Sequence, residues 1–330
     1  MLDGKTILIT GGTGSFGNAF TRFVLDSFKV MKLIILSRDE FKQYEMARIY
    51  PERKYPIRFF LGDIRDKSRL ERAFDGVDYV IHAAALKQVP ALEYNPFEAV
   101  KTNILGAENI VDAALKRSVK KVIAVSTDKA VNPVNLYGGT KLVMEKIFIA
   151  ANSYVGSKST AFSVVRYGNV VGSRGSVIPY FMKLAREKKK EFPITDSGMT
   201  RFWITLNQGV SLVYRVLEEA IGGEIFVPRI PSMRILDLAR AIVPDCTFRT
   251  IGIRPGEKLY ETLISEDECR NALDMGDHYI ILPQYHYGHQ NYDHYRKTAH
   301  KSGLDETYRS DTNERWLSVE DIKSLIENIE

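Results

Sequence analysis

A glycine-rich turn follows the first apolar segment of the chain. Residues 10–17 read Thr-Gly-Gly-Thr-Gly-Ser-Phe-Gly and come directly after a short apolar run. Glycine is needed where the backbone turns tightly, approaches a pyrophosphate or lets a helix pack closely on a strand. The pattern predicts a dinucleotide site at a helix N-terminus, and a plain strand-to-helix connection is the alternative. The predicted cofactor contacts here are Gly11, Thr13, Gly14, Ser15, Phe16 and Gly17.

The first half of the chain alternates between short apolar runs and helical patterns. Six runs have the length and continuous hydrophobicity of buried parallel strands, namely Thr6–Ile9, Leu33–Leu36, Ile57–Leu61, Tyr79–Ala83, Val122–Val125 and Phe162–Val165. Helical patterns lie between or after them at Phe16–Phe28, Lys67–Phe74, Phe97–Lys116 and Lys141–Ser153. This alternation predicts an α/β fold with a doubly wound parallel sheet of the Rossmann type.

Beyond about residue 172, glycine and proline interrupt this rhythm and the elements become shorter. We interpret residues 1–171 as a dinucleotide-binding Rossmann domain to which residues 204–228 return. Residues 172–203 and 229–285 then form a smaller, interleaved substrate-binding lobe. Residues 286–330 form a C-terminal tail and helix, with Ser318 or Asp321 near the start of that helix.

Composition narrows the class of protein. With 330 residues, 45% hydrophobic and 26% charged, the chain is long enough for a large core and a second lobe. The net charge of +5 is small and the basic residues are scattered, so we expect no nucleic-acid partner. No apolar run is long enough to predict a membrane span. Cys246 and Cys269 lack metal-ligand spacing, and we expect a cytoplasmic protein without a metal.

The end of the second predicted strand bears on cofactor choice. Ser37 stands about 20 residues beyond the glycine-rich turn, where an NAD site usually has Asp or Glu to accept from the ribose 2′-hydroxyl. Arg38 can instead pair with the 2′-phosphate of NADP. We therefore expect NADP, and Asp39 and Glu40 leave NAD open.

Two later strand ends supply further candidate contacts to the cofactor. A carboxylate after the third strand can accept from the adenine amino group or cap the next helix. Small side chains after the fourth strand let a cofactor pass closely, and the lysine beyond them can reach a phosphate or the active site. These candidates are Asp63, Ile64, Ala83, Ala84, Ala85 and Lys87.

Chemically active side chains cluster after the fifth predicted strand. Tyr137 and Lys141 are spaced i,i+4 and share a helix face. A neighbouring ammonium and a cationic nicotinamide ring would favour the phenolate of Tyr137, whose ordinary pKa is about 10. Tyr137 is then a candidate base for a sugar hydroxyl, with Lys141 also able to hold the nicotinamide ribose. Thr127 can donate a hydrogen bond to the substrate hydroxyl.

Asp128 and Lys129 lie beside this pair. An acid and an amine at a strand end indicate that a proton transfer or an elimination accompanies hydride transfer. The alternative is an ordinary pair of opposite charges exposed in a loop.

Taken together, these motifs resemble the extended short-chain dehydrogenase/reductase family. The matching pieces, in order, are Gly11–Gly17, Asp63-Ile64, Ala83–Ala85, Thr127 and the Tyr137/Lys141 pair. The resemblance continues through 166–172 and 254–258 and so covers most of the chain. It implies a nucleotide-sugar substrate, whose phosphates and nucleoside would be contacted by Lys87, Asn169, Arg201, Arg254 and Glu257.

Within that family, Asp128-Lys129 stands where dTDP-glucose 4,6-dehydratases have Asp-Glu. With residues 86–90 and 310–318, this pair resembles the inverting UDP-N-acetylglucosamine 4,6-dehydratases of pseudaminic acid synthesis, which serves flagellin glycosylation. The resemblance implies an NADP-dependent hydro-lyase. In it Tyr137 takes the C4 hydroxyl proton, neutral Lys129 takes the C5 proton and protonated Asp128 helps the C6 hydroxyl leave. Hydride then returns to C6, C5 is reprotonated on the opposite face, and the product is UDP-2-acetamido-2,6-dideoxy-β-L-arabino-hexos-4-ulose. Such a base requires burial beside the cationic ring to lower the pKa of Lys129 from about 10.4.

Other functions remain open at this stage. A UDP-hexose 4-epimerase would not need Asp128 or Lys129, and capsule-pathway UDP-GlcNAc dehydratase/5-epimerases share much of the pattern. A non-catalytic NADP-binding regulator predicts a degraded Tyr/Lys pair, whereas here the pair is intact.

Two further segments bear on the oligomeric state and on the structure of the C-terminal region. The resemblance implies a homo-oligomer, dimer-based or hexameric, in which the apolar stripe of Phe97–Lys116 pairs between subunits; packing on the sheet explains the stripe equally well. The His- and Tyr-rich segment 278–300 has no zinc spacing and predicts a polar, aromatic loop.

Overall fold

The computed structural model describes residues 1–172, 177–285 and 290–327. Strands and helices alternate through its first half. In chain order they are β1 (Thr6–Thr10), α1 (Ser15–Ser27), β2 (Lys32–Ser37), α2 (Glu40–Ile49), β3 (Ile57–Leu61), α3 (Lys67–Ala73), β4 (Tyr79–His82), α4 (Val89–Tyr94), α5 (Pro96–Ala99), α6 (Gly106–Arg117), β5 (Lys121–Thr127), α7 (Leu136–Ala151) and β6 (Ala161–Tyr167). A π-helical stretch, Val100–Leu105, joins α5 to α6, and a 3₁₀ turn, Asp128–Ala130, follows β5.

The second half has shorter elements. They are β7 (Asn169–Val170), α8 (Val177–Arg186), β8 (Glu191–Ile194), β9 (Thr200–Ile204), α9 (Leu206–Glu219), β10 (Ile225–Pro228), β11 (Ser232–Arg234), α10 (Ile235–Ile242), β12 (Thr247–Thr250), β13 (Thr262–Ile264), α11 (Glu266–Cys269), β14 (Ala272–Asp274), β15 (His278–Ile281), α12 (Asp293–Thr298), β16 (Lys301–Ser302), β17 (Tyr308–Arg309) and α13 (Val319–Glu327).

One large sheet organises the molecule. Its strand order is β16-β14-β15-β10-β6-β5-β4-β1-β2-β3, and the strands from β3 to β10 in that order run parallel. Every residue of β1 is buried, because helices cover both faces of a sheet of this kind. The doubly wound α/β fold predicted from the alternation is confirmed. The strand order reverses between β1 and β4, and ligands bind at the carboxyl ends of strands beside such a switch point.

The large sheet extends further than the alternating pattern predicts. β10, which follows α9 in the chain, joins it by pairing with β6. Beyond β10 it continues with antiparallel β15, β14 and β16. These strands fall within the ranges 229–285 and 286–330, which the sequence interpretation gave to the smaller lobe and the tail. Antiparallel edge strands of two to four residues carry too little periodicity to be assigned from sequence.

A second hydrophobic core lies in the smaller lobe. It includes the fully buried side chains of Phe192, Met233 and Ile322, the last from α13. The small sheets there are β11-β9-β7, β12-β8 and β13-β17. Ser318 and Asp321 cap the start of α13 reciprocally, as the sequence predicted: Ser318 Oγ donates to Asp321 Oδ2, and the Asp321 N–H donates to Ser318 Oγ.

The start of α7 decides where the predicted Tyr-Lys pair lies. Asn135 caps this helix by accepting a hydrogen bond from the Gly138 N–H at 2.8 Å. The helix therefore begins at Leu136. The helical pattern alone predicts a start at Lys141, one turn later. Tyr137 and Lys141 consequently lie in its first turns, beside the carboxyl end of β5.

Candidate active site

The glycine-rich turn has the geometry of a dinucleotide cradle. Gly11 has φ +67°, and a Cβ there would lie 2.9 Å from the backbone of Ala84. At Gly17 a Cβ would lie 2.3 Å from the Gly12 carbonyl oxygen, so the helix can approach the strand only with glycine. Gly14 is the N-cap of α1 and provides no side-chain cap, which leaves the first N–H groups of the helix free for an anion. Ser15 and Phe16 open this helix. A dinucleotide pyrophosphate fits these features.

The end of β2 carries no carboxylate aimed at a ribose. Thr13 Oγ1 and Ser37 Oγ, both on buried residues, are 2.8 Å apart and hydrogen-bonded. The side chain of Arg38 is 54% exposed, and its Nη1 lies 3.8 Å from Asp63 Oδ2. Asp39 is occupied as the N-cap of α2.

Asp63 lies at the end of β3 and pairs mainly with Arg65. Arg65 Nη2 donates to Asp63 Oδ2 at 2.7 Å. Burial would raise the pKa of Asp63, but the hydrogen bonds and charge of Arg65 outweigh it and hold the pKa below its usual range. The alternative role of Asp63, capping α3, belongs instead to Asp66. Ile64 is buried against Gly106, where a Cβ would lie 2.7 Å from Ile64 Cδ1.

The alanines after β4 line the open side of the cradle. Ala83, Ala84 and Ala85 are half-buried, and the Ala84 N–H donates to Thr10 Oγ1 at 3.3 Å. Lys87 follows as an exposed residue. Partial desolvation of its ammonium and the positive charge of Lys129 lower the pKa of Lys87, so the two lysines share one electrostatic environment.

Asp128 and Lys129 form a buried ion pair rather than an exposed one. Asp128 is fully buried, and its Oδ1 accepts from Lys129 Nζ at 3.1 Å and from Thr127 Oγ1 at 2.9 Å. Asp128 Oδ2 is buried and has no hydrogen-bond partner among the described residues. The hydroxyl of Thr127, predicted to face substrate, is thus directed to Asp128 in this structure. An unsatisfied buried carboxylate oxygen is costly, and it marks a place for a donor supplied by a ligand.

Sequence reasoning missed the second carboxylate beside Lys129. Glu261, immediately before β13, is 2% exposed. Its Oε1 lies 3.4 Å from Lys129 Nζ and 3.8 Å from Arg201 Nε. The position of Glu261 shortly after residues 254–258 is the only sequence feature that could have pointed to it. That position does not distinguish Glu261 from other acidic residues nearby. Only the folded chain brings it to the end of β5.

The protonation of Lys129 differs from the sequence-based expectation. Burial lowers the pKa of Lys129, but the charges of Asp128 and Glu261 outweigh burial and raise it above its ordinary value. The expectation of a lowered pKa was made for a lysine buried beside the cationic nicotinamide ring, and it omitted the second carboxylate. The two carboxylates of the protein itself act in the opposite direction.

Tyr137 faces Lys129. Burial raises the pKa of the Tyr137 phenol to about 12, opposed by the positive charge of Lys129 and by a hydrogen bond with Thr127. The ammonium of Lys141 points elsewhere: its Nζ donates to the Val125 carbonyl at 2.7 Å and lies 3.0 Å from Met144 Sδ. Desolvation lowers the pKa of Lys141 to about 8. The predicted helix pair is present, but the cation acting on the phenol is Lys129.

The two glycines after Tyr137 have different surroundings. A Cβ on Gly138 would lie 2.1 Å from the carbonyl oxygen of Lys129. Helix α7 can therefore pack against the 3₁₀ turn Asp128–Ala130, the candidate catalytic turn, only with glycine at this position. A Cβ on Gly139 would meet nothing within 4 Å. Gly138 therefore serves the packing of the protein itself, and Gly139 borders open space.

The substrate contacts implied by the family resemblance divide into two groups. Asn169 Oδ1 accepts from Lys129 Nζ at 3.2 Å, and Arg201 is buried with its guanidinium donating to the carbonyls of residues 200, 258 and 259. These two lie at the catalytic turn. Arg254 is exposed, and its Nε is 4.0 Å from Glu257 Oε1. That pair lies in the loop before Lys258, whose Nζ donates to the Val131 carbonyl.

A buried network holds the elements that carry the site. Arg166 of β6 donates to Glu145 Oε2 at 2.6 Å and to Glu268 Oε1 at 2.8 Å. Ser126 Oγ donates to Glu145 Oε1. These bonds join β5, α7, β6 and α11, and a buried pair of this kind is disrupted strongly when one partner is removed.

The described residues, 1–172, 177–285 and 290–327, contain no group of three or more His, Cys, Asp or Glu side chains placed to hold a metal ion. Within the same ranges, no helix combines the length and apolar character needed to cross a bilayer. His286, Tyr287 and His289 of the His- and Tyr-rich segment lie outside the described residues.

A Rossmann sheet, a glycine-rich cradle and a Tyr/Lys helix beside β5 define a protein of the short-chain dehydrogenase/reductase type. The chain belongs to the family described as polysaccharide biosynthesis protein, whose sequence model matches residues 7–283.

Relatives of known name cover nearly the whole chain. The UDP-N-acetylglucosamine 4,6-dehydratase (inverting) of Campylobacter jejuni subsp. jejuni serotype O:23/36 (strain 81-176) is 51% identical over 100% of this chain and 99% of its own length. The UDP-glucose 4-epimerase of Rickettsia canadensis (strain McKiel) is 44% identical over 98% of this chain and 95% of its own. The X-ray structure of Pen from Bacillus thuringiensis superimposes with a TM-score of 0.90 at 38% identity, covering 99% of this chain and 98% of that one.

Proposed function

We propose that this protein is an NADP-dependent UDP-N-acetylglucosamine 4,6-dehydratase that inverts C5. The observation that carries the proposal is the buried Asp128–Lys129 pair at the carboxyl end of β5, beside Tyr137. An acid and an amine there are what elimination of water requires in addition to oxidation. The relative from Campylobacter, named for this activity, supports the same substrate.

Cofactor binding is assigned to the glycine-rich turn, Ser37 and Arg38, and to Asp63, Ile64 and the three alanines. The bound nicotinamide would take a hydride from C4 of the sugar and return it to C6. Arg38 is exposed, and its ion pair with Asp63 is long, at 3.8 Å, which supports NADP over NAD. Lys141 would turn from the Val125 carbonyl to the nicotinamide ribose.

Tyr137, Lys129 and Asp128 then each carry out one of the proton transfers. Tyr137 takes the C4 hydroxyl proton, and the charge of Lys129 helps to stabilise its phenolate. Transfer of one proton from Lys129 Nζ to Asp128, 3.1 Å away, produces both the neutral amine and the carboxylic acid that elimination needs. Lys129 removes the C5 proton, Asp128 protonates the departing C6 hydroxyl, and C5 is reprotonated on the opposite face.

Substrate binding is assigned to Lys87, Asn169 and Arg201 near the phosphates and to Arg254 and Glu257 at the nucleoside. We further propose a cytoplasmic homo-oligomer whose product enters pseudaminic acid synthesis for flagellin or another surface glycan. A capsule-pathway UDP-GlcNAc dehydratase/5-epimerase would use the same site.

A UDP-hexose 4-epimerase is the second candidate, and the relative from Rickettsia supports it. An epimerase retains the C6 hydroxyl and gives no task to the buried acid of Asp128. The test is to incubate the purified protein with UDP-GlcNAc in D2O and to follow the products by NMR. A 4-keto-6-deoxy sugar with inverted C5 and solvent deuterium at C5 is expected. UDP-GalNAc as the sole product would contradict the dehydratase.

A further inference from the structure

Glu261 has no task in the mechanism above, yet it is buried in the charge cluster around Lys129. Its Oε1 lies 3.4 Å from Lys129 Nζ. Its Oε2 lies 3.8 Å from Lys258 Nζ and has no hydrogen-bond partner among the described residues. A buried carboxylate with one unsatisfied oxygen is destabilising unless neighbouring cations compensate for it. Glu261 is therefore placed for an electrostatic effect on its neighbours rather than for its own hydrogen bonding.

The backbone of Glu261 is fixed from a distant part of the chain. Its N–H donates to Ser310 Oγ at 2.9 Å, and the Ser310 N–H donates to its carbonyl oxygen at 2.9 Å. Ser310 Oγ is also 2.8 Å from Thr200 Oγ1 of β9. The backbone that carries the carboxylate is thus fixed by Ser310, which is itself bonded to β9, and this places the Glu261 side chain beside Lys129.

Charged or titratable groups approach Lys129 from every element around it. They are Asp128 on its own turn, Tyr137 on α7, Arg201 on β9, Lys258 and Glu261 before β13, and Lys87 after β4. Only Asp128 and Glu261 among them are carboxylates. Asp128 is needed as the acid in elimination and must take up a proton, so it cannot also hold the ammonium throughout turnover. Glu261 can do so, since the proposed chemistry gives it no proton to exchange.

We infer that Glu261 is a positioning residue for Lys129, whose carboxylate keeps the amine at the end of β5 and strengthens it as the base at C5. The inference rests on the proposed function. While Asp128 is protonated, Glu261 is the remaining negative charge beside Lys129. It therefore stabilises the ammonium that forms when the C5–H bond breaks and the proton moves to Nζ.

The test is Glu261→Gln in the full-length holoenzyme. The rate of deuterium incorporation at C5 of UDP-GlcNAc is followed against pH, with the absorbance of the reduced nicotinamide monitored in parallel. A weaker base should lower the alkaline plateau of C5 exchange roughly tenfold. The rising limb of the pH profile of C5 exchange should move to lower pH by about one unit or more, since loss of a nearby anion lowers the pKa of an ammonium. Formation of reduced nicotinamide in the first step should persist.

Three further variants make the result specific. Glu261→Asp keeps the charge and should restore most of the wild-type limb of the pH profile. Glu261→Met removes the charge from a side chain of similar length and carries the test if Glu261→Gln does not fold. Glu266→Gln removes an exposed carboxylate from α11 nearby and should match wild type.

The possible failures are distinguishable. If wild type dehydrates UDP-GlcNAc and the limb of the pH profile stays in place in Glu261→Gln, or in Glu261→Met when only that variant folds, Glu261 has no positioning role. If wild type epimerises UDP-GlcNAc without exchange at C5, the proposed function and this inference both fail.

Discussion

Lys129, and not Lys141, is the lysine whose charge acts on the phenol of Tyr137. The ammonium of Lys129 opposes the rise in the pKa of Tyr137 that burial causes, whereas Lys141 donates to the Val125 carbonyl. In the proposed mechanism the oxidation at C4 and the elimination at C5 and C6 therefore depend on a common cation. A change at Lys129 should affect both steps, by different amounts and with different pH dependence.

We expect Lys129→Met to slow C5 exchange by about 10²- to 10⁴-fold, because it removes the base. Loss of the positive charge also raises the pKa of Tyr137, so the alkaline limb of nicotinamide reduction should move to higher pH. Stopped-flow absorbance measures the reduction, and NMR in D2O measures the exchange. Nucleotide affinity should stay unchanged. Wild-type exchange in this variant would remove Lys129 from the mechanism.

Asp128→Asn should separate the acid from the base. The amide retains the size of the side chain but cannot protonate the C6 hydroxyl, so release of water should fall by about 10²- to 10⁴-fold. The C4 oxidation and some C5 exchange should continue, and reduced nicotinamide should accumulate. Quenched samples analysed by mass spectrometry would contain the 4-keto sugar with its C6 oxygen retained. Full dehydration by this variant would assign the acid to another group.

Adjacent glycines in α7 provide a matched pair for stability. Gly138→Ala would bring a Cβ to 2.1 Å from the Lys129 carbonyl oxygen and should destabilise the fold by about 1–3 kcal/mol. Gly139→Ala has open space and should stabilise the helix by up to about 1 kcal/mol. Urea unfolding measures both. Equal effects would show that the packing of α7 on the catalytic turn is looser than the structure has it.

Arg38→Ala should weaken NADP binding by roughly tenfold to a hundredfold, because a charge-assisted contact to the 2′-phosphate is lost. Affinity for NAD should change little. Arg53→Ala, which removes an exposed arginine before β3, is the control for general electrostatic attraction. Calorimetric titration of both nucleotides measures the ratio, and an equal loss for both would argue against a phosphate contact.

Lys141→Met should stabilise the nucleotide-free protein by on the order of 1 kcal/mol at pH 7, because the fold then no longer buries an ammonium. The pKa of Lys141 is lowered from 10.5 to about 8, so the free-energy cost of burying its ammonium is fully present below pH 8. As pH rises from 8 to 10.5 the folded protein binds fewer protons than the unfolded chain, and the cost disappears. The advantage of the variant over wild type should therefore fade across that window. Denaturant unfolding at pH 7 and 10 tests this, and a constant difference would contradict a buried charge.

The sequence predicted the parts of this molecule that depend on local pattern. The glycine-rich turn, the parallel strands and the cap of α13 each have a signal within a few residues, because backbone geometry and burial limit the residue types there. The proximity of Asp128 and Lys129 also follows from their adjacency at a strand end.

What the sequence could not predict depends on contacts between distant segments. Glu261 lies immediately before β13, which pairs with the distant β17. Its charge adds to that of Asp128 in raising the pKa of Lys129. The orientation of Lys141 depends on which acceptor its flexible side chain meets after folding. The short strands β14 and β16 have too few residues for any periodicity.

The pair of hydrogen bonds between Ser310 and Glu261 has a consequence for synthesis of the chain. The glycine-rich turn, the alanines after β4 and the Asp128-Lys129 pair all lie within residues 1–172, which are synthesised first. The carboxylate beside Lys129 takes its final position only when β17, near the C-terminus, has paired with β13. A chain that ends before Tyr308 therefore has Asp128 and Lys129 but lacks the strand that pairs with β13 beside Glu261. The charge balance at Lys129 is among the last features of the molecule to be completed during synthesis.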